Sequence, residues 1–308
     1  MRALVTGATG FIGSCMVPAL VDQGNDVVAT DIVAEPRWIT SRKGVEYRRV
    51  DLCHDPDVRE LVFQERPDKV VHLAGLPFEE CEESPSRGFQ VNLMATFSLL
   101  EASVTSDVAR FVMTSSLSVF GRGLAEPVLD DAERVPESVH GQTKLACEHM
   151  LDWFRRVHGF SVGAVRFPWV YGPGRTTGLS AEHSSFLLDA IARDETAIVR
   201  NADQVGDWLY VRDAVKALIL LLESDEDPPV TYNIASGIHS VADAMAVAQE
   251  LFPDARVEIR RVPGADYPYA SSFDDTRARK RIGWNPGYSI RRGFKEHVEE
   301  VRRSLAVA

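Results

Sequence analysis

Residues 2 to 13, RALVTGATGFIG, run from a short apolar stretch straight into glycines at positions 7, 10 and 13. A buried strand must end there at a tight turn, and the turn must open a helix, with Gly13 permitting helix and strand to pack closely. The first N–H groups of such a helix have no partner within it, so a turn made of Gly7, Thr9, Gly10, Phe11, Ile12 and Gly13 suits the pyrophosphate of a dinucleotide.

The same strand-then-helix rhythm continues. DVVATD, VEYRRVD, KVVHLAG, RFVMTSS and SVGAVRF are apolar on both faces, and helix-length segments separate them. Periodicity and end signals predict helices over 11–23, 55–65, 87–105 and 138–158. Pro18 sits inside the first of these and should kink or weaken it. Strands buried on both faces and joined by helices form a parallel sheet covered on both sides. The expected fold class is therefore α/β, a doubly wound parallel sheet (Rossmann). After Phe167 the chain turns to Pro/Gly-rich segments such as PWVYGPGRTTG and RVPGADYPY, with helices expected over 211–223 and 241–251. This region reads as a smaller C-terminal substrate lobe over the carboxyl ends of the strands. The division expected is 1–167 with 207–235 as the dinucleotide-binding part, and 168–206 with 236–308 as the lobe.

The second strand ends in Asp31, eighteen residues beyond Gly13. A carboxylate there accepts hydrogen bonds from the adenosine ribose hydroxyls and repels a 2′-phosphate, which favours NAD over NADP. Arg37 nearby softens that preference. A chain of 308 residues, 45% hydrophobic, can bury a large core, and its net charge of -11 with no basic run argues against a nucleic-acid partner. Cys15, Cys53, Cys81 and Cys147 are widely spaced with no CxxC pair, so no metal site and no disulfide framework is expected. Reduced thiols, the lack of a charged leader and the lack of a membrane-length apolar run point to a cytoplasmic location.

TGATGFIG, the DL at 51–52, HLAG at 72–75, VN at 91–92, TSSLSVFG at 114–121, RFPWVYGPG at 166–174 and DWLYVRDAVKAL at 207–218 fall in one order along nearly the whole chain. In that order they resemble the extended short-chain dehydrogenase/reductases, the NAD-dependent epimerase/dehydratase group that includes UDP-glucose 4-epimerase. The resemblance implies Asp51 and Leu52 near the adenine, and Leu73, Ala74 and Gly75 under the cofactor. It implies further cofactor contacts at Asn92, Phe167 and Pro168, with the last two near the nicotinamide. It also implies catalysis by a Ser or Thr, a Tyr and a Lys. Ser116 and Lys144 match, and Lys144 also meets the nicotinamide ribose. The tyrosine position is His140.

That replacement changes the chemistry. A neighbouring ammonium pulls a phenol down from about 10 and makes phenolate available, whereas the same field pushes an imidazole below its ordinary value of about 6.5 and weakens it as a base. Imidazole is also shorter than phenol, so its reach to a substrate hydroxyl is in question. Tyr171 and the acidic stretch FEECEE (78–83) are the other candidates for moving the proton. Catalysis by Ser116, His140 and Lys144 leads, and the alternative is a catalytically silent NAD-binding protein.

Relatives that hold a nucleotide-sugar diphosphate do so with an asparagine and two arginines, at positions that here read Trp169, Gly206 and Val262. Losing these donors favours a smaller substrate, a sugar, sugar acid or polyol. A shift of register in the lobe would instead bring Arg261 to the third position, and Arg175, Arg200, Arg212 and Arg260 are further cations. Trp169 offers a flat surface for stacking, or fills core. Expected substrate contacts are thus Ser116, Trp169 and Arg175. A nucleotide-sugar epimerase or dehydratase that recycles bound NAD remains the alternative within the enzyme class. The resemblance further implies a homodimer through helices at 87–105 and 140–158, with Leu99, Leu100, Leu145 and Met150 as apolar candidates that would fit an intramolecular core equally well.

Overall fold

The computed structural model describes residues 1–34, 36–224, 231–260 and 269–307. The apolar runs become β1 (Arg2–Thr6), β2 (Asp26–Asp31), β3 (Val45–Arg49), β4 (Lys69–His72), β5 (Arg110–Ser116) and β6 (Val162–Phe167). Between them lie α1 (Gly13–Asp22), the short α2 (Arg37–Thr40), α3 (Asp55–Glu65), α4 (Phe78–Glu83), α5 (Pro85–Gly88), α6 (Ala95–Thr105) and α7 (Val139–His158). Helix α1 runs on through Pro18, which nothing in the surrounding packing explains. The segment expected as one helix over 87–105 is broken. A π-helical stretch, Phe89–Met94, separates α5 from α6. The wide turn leaves the Asn92 carbonyl to accept from Thr96 Oγ1 (2.6 Å) and Cys147 Sγ (3.2 Å).

The second half adds β7 (Trp169–Tyr171), α8 (Ser185–Ala192), β8 (Ala197–Arg200), β9 (Val205–Tyr210), α9 (Val211–Glu223), β10 (Thr231–Asn233), β11 (Ile238–Ser240), α10 (Val241–Leu251), β12 (Val257–Arg260), α11 (Thr276–Ile282) and α12 (Ile290–Val307). A seven-stranded sheet runs in the order β10-β6-β5-β4-β1-β2-β3, and every neighbouring pair in it is parallel. Strand order reverses direction between β1 and β4, so the loops after those strands diverge and leave a crevice. Two small sheets, β11-β9-β7 and β12-β8, belong to the second half.

Alternation along each strand explains the two faces. Leu4, Phe111 and Met113 point to the side where α3, α6 and α7 pack, joining Leu61, Leu99, Leu100 and Leu151. Ala3, Val5 and Val112 point the other way, into a cluster that holds Met16, Val17, Leu20 and Leu218. That second cluster continues without a break into Tyr171, Leu188, Trp208, Trp284 and Phe294, so the lobe shares its core with one face of the sheet. Leu99 and Leu100 are wholly buried, Leu145 packs beside Leu117 and Phe120, and Met150 packs against the α6–α7 core. Leu99 and Leu100 thus serve the chain's own interior, while Leu145 and Met150 pack against it and stay partly exposed. The apolar side chains left exposed on the same segments are Phe89, Met94, Trp153 and Val157. Among the described residues no helix is long and apolar enough to cross a membrane.

Candidate active site

The carboxyl ends of β1, β4, β5 and β6 open into a cavity of ≈ 640 Å³. The glycine turn forms one wall, and residues 73, 75–78, 114–116 and 118 form the floor. His140 and Lys144 on α7, residues 167–168, Val170, the loop 174–178 with Ser180, and Tyr269 complete it. Among the described residues no Asp or Glu lines it, and its basic side chains besides His140 are Lys144 and Arg175.

Close backbone approach explains the glycines. Gly7 has φ +63, and a Cβ there would stand 2.6 Å from the Ala74 nitrogen; one on Gly13 would stand 2.3 Å from the Gly7 carbonyl oxygen. Helix α1 starts without a side-chain cap, and Phe11, Ile12 and Gly13 face the cavity, a cradle of N–H donors fit for a pyrophosphate. Asp31 stands beside the turn, its Oδ2 accepting from Thr9 N (3.0 Å) and Thr9 Oγ1 (2.6 Å). Of the expected cofactor contacts, Gly7, Thr9, Gly10, Phe11, Ile12, Gly13, Leu73, Gly75, Lys144, Phe167 and Pro168 come together on the wall. Asp31, Asp51, Leu52, Ala74 and Asn92 lie off it. Asp51 accepts from Cys53 N (2.9 Å). Asn92 brackets Leu76, accepting from its N–H (2.6 Å) and donating to its carbonyl (3.2 Å), and so holds the loop after β4 in place.

A buried chain beneath the turn aligns β1 with β4. Thr96 donates its single hydroxyl proton to the Asn92 carbonyl, so it accepts from His72 Nε2 at 2.8 Å. His72 Nδ1 then accepts from Thr6 Oγ1 at 2.7 Å, and Thr6 Oγ1 accepts from the Leu73 and Ala74 N–H groups (3.2 and 3.3 Å). Burial, with the Lys144 charge adding to it, holds His72 down to about 3. It is a neutral link.

Helix α7 begins at a cap. Ser138 Oγ accepts from Gly141 N (3.0 Å), and Glu82 accepts from Val139 N (2.7 Å), giving the acidic stretch at 78–83 a capping role at the helix's positive end. Tyr269 Oη reaches the same Ser138 Oγ at 3.1 Å. His140, Lys144 and Glu148 follow at helical spacing on the face toward the sheet. Lys144 Nζ donates to the Thr114 carbonyl (3.0 Å), and burial lowers its pKa. His140 Nδ1 lies 3.1 Å from Ser118 Oγ, and Ser118 Oγ lies 2.9 Å from Ser116 Oγ. The Ser118 N–H also donates to Ser116 Oγ (3.1 Å). Burial first, then the Lys144 ammonium, holds His140 down to about 3.

Below them Glu148 is clamped. It accepts from Ser115 Oγ (2.6 Å) and from Arg166 Nε (2.8 Å) and Nη2 (2.7 Å). Arg166 Nη1 donates to the Asp130 carbonyl (2.8 Å) and Asn233 Oδ1 (3.1 Å), and its guanidinium lies 4.9 Å over the Phe120 ring.

The remaining candidates are placed differently. Trp169, 2% exposed, is not on the cavity wall. Its ring stacks on His183 (5.5 Å) and meets Trp208 edge-on (5.7 Å), because β7 turns that position toward the lobe core. Gly206 is the other half of this packing: a Cβ there would stand 2.6 Å from the Trp169 ring. Tyr171 is buried among Trp208, Tyr210 and Phe294, away from the cavity. Arg175 lines the cavity, donating to the Thr177 carbonyl (3.0 Å) and the Val170 carbonyl, near the Phe11 ring (5.9 Å). Arg200 pairs with Glu182 (3.5 Å), Arg212 with Glu296 (2.9 Å) and Arg260 with Glu258 (2.9 Å), and none of the three lines the cavity. Arg261 and Val262 lie outside the described residues. Ser118 and Tyr269 escaped the sequence reading. The only hint of Ser118 was the SxS spacing from Ser116, and Tyr269 sits in a proline-rich turn with no periodicity.

Comparison with known proteins supplies the wider setting. The sequence profile of the NAD dependent epimerase/dehydratase family matches residues 3–235. The chain is 28% identical over 323 residues to UDP-glucose 4-epimerase of Mycolicibacterium smegmatis, covering 98% of this chain and 99% of that one. It is 28% identical over 224 residues to D-erythronate dehydrogenase of Haemophilus influenzae, covering 70% of each. Among solved structures, Thermus thermophilus UDP-glucose 4-epimerase in complex with NAD superposes with a TM-score of 0.86 at 26% identity, covering 98% of this chain and 99% of that one.

Proposed function

The chain belongs to the NAD-dependent epimerase/dehydratase family, and from that premise we propose that it transfers hydride at a hydroxyl or keto carbon of a small sugar acid or polyol, not of a nucleotide sugar. The observation that carries this reading is the Trp169–Gly206 contact. The two positions where relatives present an amide and a guanidinium to a diphosphate are here consumed by one packed unit, with no room for a side chain on Gly206. A nucleotide diphosphate would lose both donors at once.

The walls agree with a small anion. Lys144 and Arg175 both line the cavity, and the H. influenzae relative is by name a dehydrogenase of a sugar acid. When bound, NAD accepts the hydride or NADH returns it. The remaining work falls to the chain. Ser116 Oγ, held by the Ser118 N–H, meets the substrate oxygen, neutral His140 takes up or supplies the proton, and Lys144, fixed by the Thr114 carbonyl, would hold the nicotinamide ribose.

The test is to offer NAD with a panel of polyols and sugar acids, D-erythronate included, and to identify by mass spectrometry any nucleotide released on denaturation. NADH formation with a panel member and no released nucleotide sugar is the expected result. A co-released nucleotide sugar would favour the second reading, an epimerase or dehydratase that recycles bound NAD, which the full-length match to the M. smegmatis enzyme supports. Absence of hydride transfer with every panel member and with nucleotide sugars would leave a silent NAD-binding protein.

A further inference from the structure

In the site as built, His140 is not aimed alone at the cavity. Its Nδ1 is engaged by Ser118 Oγ at 3.1 Å, and that hydroxyl is in contact with Ser116 Oγ at 2.9 Å. The three groups form an unbroken chain whose ends both line the cavity. We infer that Ser118 is a proton-relay residue: the proton leaving the substrate hydroxyl passes through Ser116 and Ser118 to His140 Nδ1, and His140 releases a different proton from Nε2. This rests on the functional reading above and removes its main geometric difficulty. A side chain shorter than a phenol need not touch the substrate.

The accounting closes. A serine hydroxyl carries one proton and two lone pairs, and a neutral imidazole carries one N–H and one lone pair. In one sense of the chain, Ser116 donates to Ser118, Ser118 donates to Nδ1, and Nε2 bears the hydrogen. As the C–H bond gives its electron pair to NAD as hydride, the substrate O–H proton moves to Ser116 Oγ. The Ser116 proton moves to Ser118, the Ser118 proton moves to Nδ1, and the Nε2 proton passes to water in the cavity. The carbonyl product is left, one proton has been released, and every hydrogen bond in the chain now points the other way. That reversed sense is the one needed to protonate a carbonyl oxygen during reduction. The Ser118 N–H, donating to Ser116 Oγ at 3.1 Å, stabilises negative charge on that oxygen at mid-transfer.

The surroundings favour such a concerted chain over storage of the proton on the ring. Lys144 lies one turn along the same helix, and burial with its charge holds His140 at about 3, so an imidazolium does not accumulate at neutral pH. A relay needs none. Glu82 faces the backbone of this turn, accepting from Val139 N and His140 N, and Tyr269 borders it through Ser138.

The test compares wild type with Ser118→Ala and Ser118→Thr, using whichever panel member wild type oxidises, together with ¹⁵N NMR of the His140 ring in the NAD-loaded protein. The expected result has four parts. Ser118→Ala lowers kcat about 10- to 100-fold, within the range of acid–base contributions, at unchanged KM and NAD affinity. Ser118→Thr, which keeps the hydroxyl, restores most of the rate. Rates in H₂O/D₂O mixtures curve for wild type and become linear for Ser118→Ala. The Nδ1 resonance shifts in Ser118→Ala and not in Ser118→Thr. Wild-type kcat in Ser118→Ala, or an Nδ1 resonance indifferent to it, overturns the relay while leaving the enzyme assignment standing. Wild type inactive on the whole panel, with the Nδ1 shift present, overturns the functional reading and the relay with it.

Discussion

At position 140 an imidazole held at about 3 stays neutral across the ordinary working range. Oxidation rate plotted against pH should therefore show no inflection near about 6.5, the ordinary histidine value, and a break there would mean the ring titrates freely. At position 206 the absent side chain is a packing requirement. Gly206→Ala should cost about 1–3 kcal/mol by overpacking, measured by urea unfolding. In a Trp169→Ala background the same change should cost far less, since the ring it strikes is gone. Asp31 already serves Thr9, so Asp31→Ala should weaken NAD binding as well as narrow the preference over NADP, read as the two dissociation constants by titration calorimetry. Gly7 and Gly13 were legible from their place between a strand end and a helix start, and Ser116, His140 and Lys144 through the resemblance of their motifs to those of the family. Ser118 was not, because its partner is 22 residues away and only the fold brings them together.

At the level of elements, α7 brings His140 and Lys144 to the cavity and Glu148 sets where α7 sits. The Glu148–Arg166 pair, both almost fully buried, ties the helix to β5, β6 and β10 through Ser115, Arg166 and Asn233. Removing one partner of such a pair strands the other charge, so Glu148→Ala should lose about 3–5 kcal/mol of unfolding free energy. Any folded fraction should also bind NAD more weakly, because Lys144 is one turn from the lost clamp; wild-type affinity in a melting-shifted variant would show that the helix is held elsewhere. Strands β1 to β6 and the helices α3, α9 and α10 were readable from their end signals, since buried strands and Gly/Pro punctuation act locally. The break at Phe89–Met94 was not. Its cause is Asn92 reaching across to Leu76 and Thr143, a tertiary demand that overrides a helical pattern.

Across the whole molecule, buried ionisable groups pull stability in opposite directions with pH. His72 and His140 are held at about 3 in the folded chain, so the unfolded chain takes up protons first as pH falls below about 6.5, and stability drops by up to about 1.4 kcal/mol per pH unit for each. Asp207 works the other way. Burial raises it to about 6 despite N–H bonds from Ser236 and Gly237, so the folded chain takes up that proton first and gains stability as pH falls from about 6 to about 4. Asp207→Asn should therefore match or exceed wild-type stability at neutral pH and lose stability more steeply below about pH 6, compared by urea unfolding across a pH series. The lobe and sheet share one core, so a single transition should report both. That shared core also bears on how such a chain can change over generations. For polar side chains to stand at both places, Trp169 and Gly206 must both be replaced, yet replacing the tryptophan first leaves a void and adding a side chain at 206 first meets the ring at 2.6 Å. Either order passes through a less stable intermediate, so packing ties the two positions together and a change at one waits on a change at the other.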